Sequence, residues 1–139
     1  IVPDKLVKAK NWSSVTALCR AAVDKMLDFS LAHVGVNCES GDEAAAGADF
    51  FARAFGFPAD DRGASVFAGG AAEFMKTPHA GRNGHIAIGT SSLERAVFQL
   101  EKRGYSVDES TWKTDASGRK TAVYLKDEAC GFAVHLVQK

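Results

Sequence analysis

A pattern of one strand, one helix and two or three further strands occurs twice in this chain, and the repeat limits the possible folds more than any other feature. The first copy opens with "LAHVGVNC" at 31–38 and the second with "GHIAIGT" at 84–90. A histidine therefore stands near the start of each copy, His33 and then His85 about fifty residues later. Repetition of a βαβββ unit predicts an α+β fold, in which two modules form a curved mixed sheet backed by helices.

Short apolar runs bounded by turn residues predict the remaining strands. We expect the modules to cover about 31–77 and 84–139, with the turn "TDASGRK" joining two strands of the second module. The predicted strands are "ASVFAGG" (64–70), "AAEFMKT" (71–77), "SVDESTWKT" (106–114), "TAVYLKD" (121–127) and "FAVHLVQK" (132–139).

Three stretches combine helical spacing of apolar residues with a start signal. Serine or threonine at a helix start, followed three residues later by glutamate, forms a capping box. Glycine just beyond the last turn ends a helix. Three aromatic side chains at the end of the second predicted helix are expected in the core: Phe51, Phe55 and Phe57. The predicted starts are Ser13 or Ser14, Ser40 with Glu43, and Ser91 with Glu94, and the second and third helices are predicted to end at Gly56 and Gly104.

The size and charge of the chain set further limits. A chain of 139 residues has the length of one ordinary domain. Its 17 basic and 17 acidic side chains balance, which argues against a nucleic-acid or anionic-membrane partner. Three cysteines without CxxC spacing fit a reducing compartment. We expect a soluble, cytoplasmic protein.

Strand alternation predicts which side chains share a face with the two strand-opening histidines. In each case a polar group has small neighbours on its own face, while bulky side chains take the face that would pack on helices. Small residues on a concave face leave room for a ligand or an ion. The four polar groups in such positions are His33, Glu73, His85 and His135.

Imidazole and carboxylate groups together are a ligand set for Zn, Ni, Co, Mn or Fe(II). Four of them on equivalent strands predict one divalent metal site. Glu73 is the ligand that can also move a proton, and we assign it the catalytic role. The alternatives are that each histidine is a hydrogen-bonded structural residue and that Glu73 is a rim carboxylate paired with Lys76 or Arg82.

The connection "TPHAGRNG" between the copies holds two further polar residues. His79 is interpreted as a loop residue. Arg82 is the candidate for binding a substrate carboxylate or phosphate near His85, although "GRNGH" is also typical of a plain turn.

Residues 31–139 resemble the vicinal oxygen chelate superfamily, which includes glyoxalase I, extradiol dioxygenases, fosfomycin-resistance enzymes and metal-free bleomycin-binding proteins. The resemblance rests on the openings "AHVGV" and "GHIAIG", the helix ends "FGF" and "KRGY", and the final "GFAVHLVQ". It implies a glyoxalase-like fold and metal ligands on the first and last strand of each module, at His33, Glu73, His85 and His135. Glyoxalase-type members usually have glutamate where this chain has His135, which argues against glyoxalase I activity itself.

Residues 1–30 belong to neither module and are predicted to form an N-terminal helical segment. The stretch "IVPDKLVKAKNWSSVTALCRAAV" is similar to the end of the barrel of 2-keto-3-deoxy-6-phosphogluconate / 4-hydroxy-2-oxoglutarate aldolases. Some of those aldolases carry a glyoxalase-like domain after the barrel. The resemblance, and the absence of an initiator Met, imply that this chain is the C-terminal domain of such an aldolase, so aldolase catalysis is assigned to none of its residues.

Three functions are compatible with these features. The first is a metal-dependent lyase or isomerase acting on a small oxo- or hydroxy-acid. The second is a non-catalytic ligand-binding or regulatory domain of the aldolase. The third is a module that sets the aldolase's oligomeric state, and a homodimer is expected in either case because modules of this family often pair between chains.

Overall fold

The computed structural model describes residues 2–139. Over that range the chain forms two N-terminal helices and then the two repeats. The helices are α1 (Asp4–Lys8), α2 (Trp12–Leu27), α3 (Gly41–Phe55) and α4 (Leu93–Lys102). The strands are β1 (Ser30–Asn37), β2 (Ala59–Asp61), β3 (Ser65–Ala68), β4 (Ala72–Met75), β5 (Gly84–Thr90), β6 (Lys113–Thr114), β7 (Lys120–Ala129) and β8 (Phe132–Gln138).

All of these strands form one mixed sheet in the order β2-β3-β4-β1-β5-β8-β7-β6. Each module contributes four adjacent strands, and the modules meet where β1 pairs antiparallel with β5. The first and last strands of each module pair in parallel, β1 with β4 and β5 with β8. The predicted α+β fold, a curved mixed sheet built from two βαβββ modules, is confirmed.

The helices cover one face of the sheet and leave the other face open. In the first module, Ala44 and Ala48 of α3 pack on Val66 and Ala68 of β3, since small side chains let the helix approach the sheet closely. In the second module, α4 packs on β7 and β8. That core contains Leu93, Ala96, Val97, Val123 and Leu136.

The end of α2 is part of the core of the second module. Leu27 is completely buried, and its carbonyl oxygen accepts hydrogen bonds from Thr90 Oγ1 at 2.7 Å and from the Ser91 backbone N–H at 2.9 Å. Arg103 Nη2 donates to Asp24 Oδ1 at 2.8 Å. These contacts join α2 to α4 and to the end of β5.

The helix starts differ in part from the capping predictions. Asn11, not Ser13 or Ser14, caps α2, because its side chain accepts from the Ser14 backbone N–H. Ser40 caps α3 as predicted, accepting from the Glu43 N–H at 3.2 Å. Only half of the predicted box forms there, since the Glu43 carboxylate accepts from the backbone of Glu39.

The predicted box at α4 does not form at all. Ser92 is the N-cap residue, but its side chain makes no capping hydrogen bond. A tertiary partner replaces it, because Gln138 Oε1 accepts from the Leu93 backbone N–H at 3.1 Å. Gly56 and Gly104 follow α3 and α4 with φ of 72° and 91°, the left-handed conformation expected after a helix.

Two further predictions are wrong. The stretch 106–114 is largely not a strand, because Asp108 accepts hydrogen bonds from the backbone and side chain of Ser110 and starts a 3-10 turn, so that strand structure is confined to Lys113–Thr114. Phe55 and Phe57 are 60% and 41% exposed, since the buried stripe of α3 ends one turn earlier at Phe51.

No helix within residues 2–139 is both long enough and apolar enough to cross a membrane.

Candidate metal centre

The sheet register brings the four predicted ligands together on the open face. Gly35 of β1 lies between Glu73 on β4 and His85 on β5. The next row across the same face, two residues away along each strand, contains His33, Ala87 and His135. The same register makes His33 equivalent to His85, and Glu73 equivalent to His135, in the two modules.

A small residue separates the polar groups in each row. Ala87 is completely buried between His33 and His135. Gly35 has no side chain, and a methyl group built on its Cα would overlap the imidazole ring of His85. The absence of a Cβ at residue 35 is therefore what lets the His85 ring lie across β1 towards Glu73.

Three of the four groups place their polar atoms in a close triangle. His33 Nε2 lies 3.2 Å from His85 Nε2 and 3.2 Å from Glu73 Oε2, and His85 Nε2 lies 2.9 Å from the same carboxylate oxygen. Ser65 Oγ donates to the other carboxylate oxygen of Glu73 at 2.6 Å. This hydrogen bond fixes the orientation of the carboxylate.

His135 completes the cluster. Its ring centroid lies 5.0 Å from that of His85 and 5.5 Å from that of His33, and one ring nitrogen from each histidine falls within 4.8 Å of the others. The ring stacks on Tyr124 with centroids 4.6 Å apart. Although His135 is buried, neither of its ring nitrogens has a hydrogen-bond partner among residues 2–139.

The arrangement fits a divalent metal ion. Nitrogen and oxygen ligands about 2.0–2.1 Å from a tetrahedral ion lie about 3.3 Å from each other, close to the sides of the triangle above. A buried polar group normally has a partner, because leaving it without one costs free energy. His33, His85 and His135 can each direct one ring nitrogen at a common ion, which would be the partner that His135 lacks, and the Glu73 carboxylate lies against two of these histidines.

Electrostatics keep Glu73 charged and His135 neutral. Burial would raise the pKa of Glu73, but hydrogen bonds from His33, His85 and Ser65 outweigh burial and hold it well below the ordinary value. Burial, followed by the charges of His85, His33 and Lys113, lowers the pKa of His135 to about 3. A carboxylate and a neutral imidazole are the forms that bind metals.

The low pKa of His135 predicts that the metal-free protein is less stable in acid. Between about pH 6.5, the value for an exposed histidine, and about pH 3, the unfolded chain binds a proton at this residue and the folded chain does not. The free energy of unfolding should therefore fall by about 2 kcal/mol between pH 7.5 and pH 5 from this group. Glu73 adds a loss only below about pH 4.5, because its folded pKa is lowered.

Urea unfolding at the two pH values measures this difference. His135→Gln removes the titrating ring, so its pH dependence over the same interval should be weaker by about the same 2 kcal/mol. An equal pH dependence in the wild type and the variant would contradict the prediction.

The cluster lies in a cavity of about 470 Å³ on the open face of the sheet. Several residues of the cavity wall were not predicted from the sequence. Phe67 and Tyr124 could have been found from module equivalence, because they pair with Glu73 and His135 on the adjacent strands β3 and β7. Other wall residues that were not predicted to belong to the site include Arg62, His79 and Lys113.

Arg82 does not lie with the four polar groups. It is exposed, is absent from the cavity wall, and has its guanidinium beside Gly131 in the turn between β7 and β8. His79 lies in the loop between the modules, as expected, and its backbone N–H donates to Asn37 Oδ1.

The fold is glyoxalase-like, and the three histidines on the open face of its sheet can hold a metal ion. Solved structures with a similar fold include methylmalonyl-CoA epimerase from Mycobacterium tuberculosis, at 17% identity and a TM-score of 0.53, covering 81% of this chain and 89% of that one. The Streptomyces coelicolor epimerase in complex with 2-nitronate-propionyl-CoA has 18% identity and a TM-score of 0.51, covering 79% and 94%. A hypothetical protein from Bacillus halodurans C-125 has 17% identity and a TM-score of 0.54, covering 80% and 94%.

At these identities the likeness shows the fold. No protein-family model and no curated protein matches the sequence.

Proposed function

We propose that this chain is a metal-binding domain that acts as a metal-dependent lyase or isomerase on a small oxo- or hydroxy-acid. His33, Glu73, His85 and His135 would hold the ion. The observation that carries the proposal is His135, a buried imidazole beside three other potential ligands, whose two nitrogens both lack a hydrogen-bond partner within residues 2–139. An acidic acyl substrate is also compatible with the structural neighbours, since one of them is a methylmalonyl-CoA epimerase in complex with methylmalonyl-CoA.

A divalent ion at this site would supply a Lewis acid for the oxygen atoms of the substrate. Glu73 is the only carboxylate among the described residues of the cavity wall, and it is the group we propose to move a proton. In the metal-free protein its hydrogen bonds from His33 and His85 make it a weak base. Imidazole nitrogens that bind a metal cannot donate these bonds, so Ser65 would be the remaining donor, and Glu73 would be a stronger base once its carboxylate leaves the ion.

Metal analysis tests the proposal. The purified wild type, dialysed against Zn, Ni, Co, Mn or Fe(II) and then against buffer, should retain about one ion per chain of at least one of them. His85→Ala should weaken metal binding by at least about 10-fold, because one ligand of the ion is lost. His79→Ala is the matched control, since it removes an exposed loop histidine from the same cavity.

Retention of no ion by the wild type would refute the metal site. Unchanged binding in His85→Ala would show that the ion is held elsewhere.

A non-catalytic ligand-binding or regulatory domain is the second candidate. His135 favours it, because imidazole replaces the carboxylate that glyoxalase-type members usually have there. This function predicts a domain without tightly bound metal, whose melting temperature rises when an oxo-acid binds. Absence of a shift with any such acid would count against it.

The association of the domain with an aldolase and with a second copy of itself also remains a proposal. The resemblance of residues 1–23 supports the attachment to an aldolase barrel, and the exposed Trp12 and Leu18 on α2 would be covered by a preceding domain. The mass of the native protein in cell extracts tests that attachment.

Sedimentation of the purified chain tests the homodimer. The free cysteines are compatible with the proposed cytoplasmic location.

A further inference from the structure

Two basic side chains reach the candidate metal cavity from opposite ends of the sheet. Arg62 directly follows the edge strand β2, and Lys113 lies on the other edge strand, β6. The Arg62 backbone N–H donates to the carbonyl of Ser65, and Lys113 is paired with Ala122. Both cations line the same cavity.

The two cations occupy equivalent places in the two modules. Phe67 is paired with Glu73, and Tyr124 is paired with His135. Ser65, two residues before Phe67, accepts the hydrogen bond from the Arg62 N–H. Ala122, two residues before Tyr124, is the residue paired with Lys113. Each module therefore supplies an aromatic wall residue and a cation, with the four polar groups between them.

Arg62 is held in place but keeps donors free. Its Cζ lies 4.0 Å from the centre of the Phe67 ring, and its Nε donates to Asp60 Oδ2 at 2.7 Å. The two terminal amino groups of the guanidinium donate to no acceptor within residues 2–139. A planar pair of N–H groups on a side chain stacked against a ring is suited to a carboxylate.

Lys113 has no carboxylate within 4 Å among the described residues, and its charge is one of those that disfavour protonation of His135. Glu73 is the only acidic side chain in the described cavity wall, and it already accepts hydrogen bonds from His33, His85 and Ser65. The cavity wall therefore contains two cations, and none of its described residues supplies a carboxylate that pairs with Lys113.

We propose that Arg62 and Lys113 bind the two carboxylates of a small dicarboxylic acid that carries an oxo or hydroxyl oxygen next to one of them. A cation at each end of the cavity matches an anion at each end of the substrate, with the adjacent oxygen directed at the histidines. This inference rests on the proposed function, because it names the substrate class of the same site.

Calorimetry with the metal-free wild type tests the inference on binding alone. Malate and 2-oxoglutarate are the probes, and 2-hydroxybutyrate and 2-oxopentanoate are monocarboxylate controls of the same carbon length. The dicarboxylates should bind at least about 10-fold more tightly, because each lost charge-assisted hydrogen bond costs about that factor. Equal binding of the two classes would overturn the inference.

Substitutions locate the two contacts. Arg62→Gln and Lys113→Met should each weaken dicarboxylate binding about 10-fold and leave monocarboxylate binding less affected. Arg62→Lys should recover part of the loss, which a purely structural role would not predict. Arg53→Gln and Lys102→Met are matched controls, because Arg53 is ion-paired with Asp49 and Lys102 lies on the Phe98 ring, both outside the cavity.

Metal content measured on the same samples separates this inference from the proposed function. Metal uptake without preference for dicarboxylates would refute the dicarboxylate site alone. Preference for dicarboxylates that depends on Arg62 and Lys113, in a protein that takes up no metal, would refute the metal-dependent function and support the anion site. Dicarboxylate binding that is unchanged in both variants would overturn the assignment of these residues.

Discussion

Replacing Gly35 with alanine is expected to weaken metal binding by about 10- to 100-fold, the range for residues that orient metal ligands. The added methyl group would occupy the space of the His85 imidazole, so the ring must leave the triangle that it forms with His33 and Glu73. The variant should also lose about 1–3 kcal/mol of stability, as is usual for overpacking. Titration with a chromophoric metal competitor measures the first effect, and urea unfolding measures the second.

Two other glycine-to-alanine variants separate these effects. A methyl group on Gly47 would lie 2.8 Å from the Phe74 ring on the helix-covered face, so Gly47→Ala should lose stability and keep its metal affinity. At Gly41 the nearest atom is 3.7 Å away, in the Lys76 side chain, and neither property should fall. Normal metal affinity in Gly35→Ala would mean that His85 is not a ligand or that β1 moves to accommodate the methyl group.

The alternation of strand residues was enough to place the polar residues of the candidate site on one face. His33, Glu73, His85 and His135 each follow a period of two within their own strand, and this period is a local property of the sequence. Their distances from each other are not local. They depend on β1 pairing with β4 and β5, and on the register that sets Gly35 beside both Glu73 and His85.

Local signals failed where a tertiary partner was available. Ser91 and Glu94 have capping-box spacing, but the helix begins after Ser92, and the last strand brings Gln138 to the free backbone N–H of Leu93. The sequence of α4 contains no sign of Gln138, which lies about 45 residues away. Helix position was therefore predictable here, and the group that caps the helix was not.

The basic residues of the cavity show the same limit. Arg82 is close to His85 in sequence, but its guanidinium lies beside Gly131 in the turn between β7 and β8. Arg62 and Lys113 are distant from the histidines in sequence and reach the cavity because the curved sheet brings both of its edges to one side. Proximity along the chain was a poor guide to proximity in the cavity.

Truncation of Leu27 to alanine is expected to destabilise the chain by about 2–5 kcal/mol, the usual cost for a fully buried leucine. Leu27 is the point at which α2 enters the core of the second module, packed with Leu93, Val97 and Leu136. The small side chain would leave a cavity that the rest of this core cannot close, because the Leu27 backbone is held by Thr90 and Ser91. Urea unfolding measures the loss.

Leu31→Ala is the matched control, since Leu31 is 63% exposed only four residues later and its truncation should change stability by less than about 0.5 kcal/mol. A large loss for Leu27→Ala alone would mean that α2 folds as part of the second module, even though its sequence lies outside both repeats. A loss as small as that of the control would instead mean that α2 is a separable segment, held by its exposed ion pair between Asp24 and Arg103. We expect the first result, because a buried leucine contributes more to stability than an exposed ion pair.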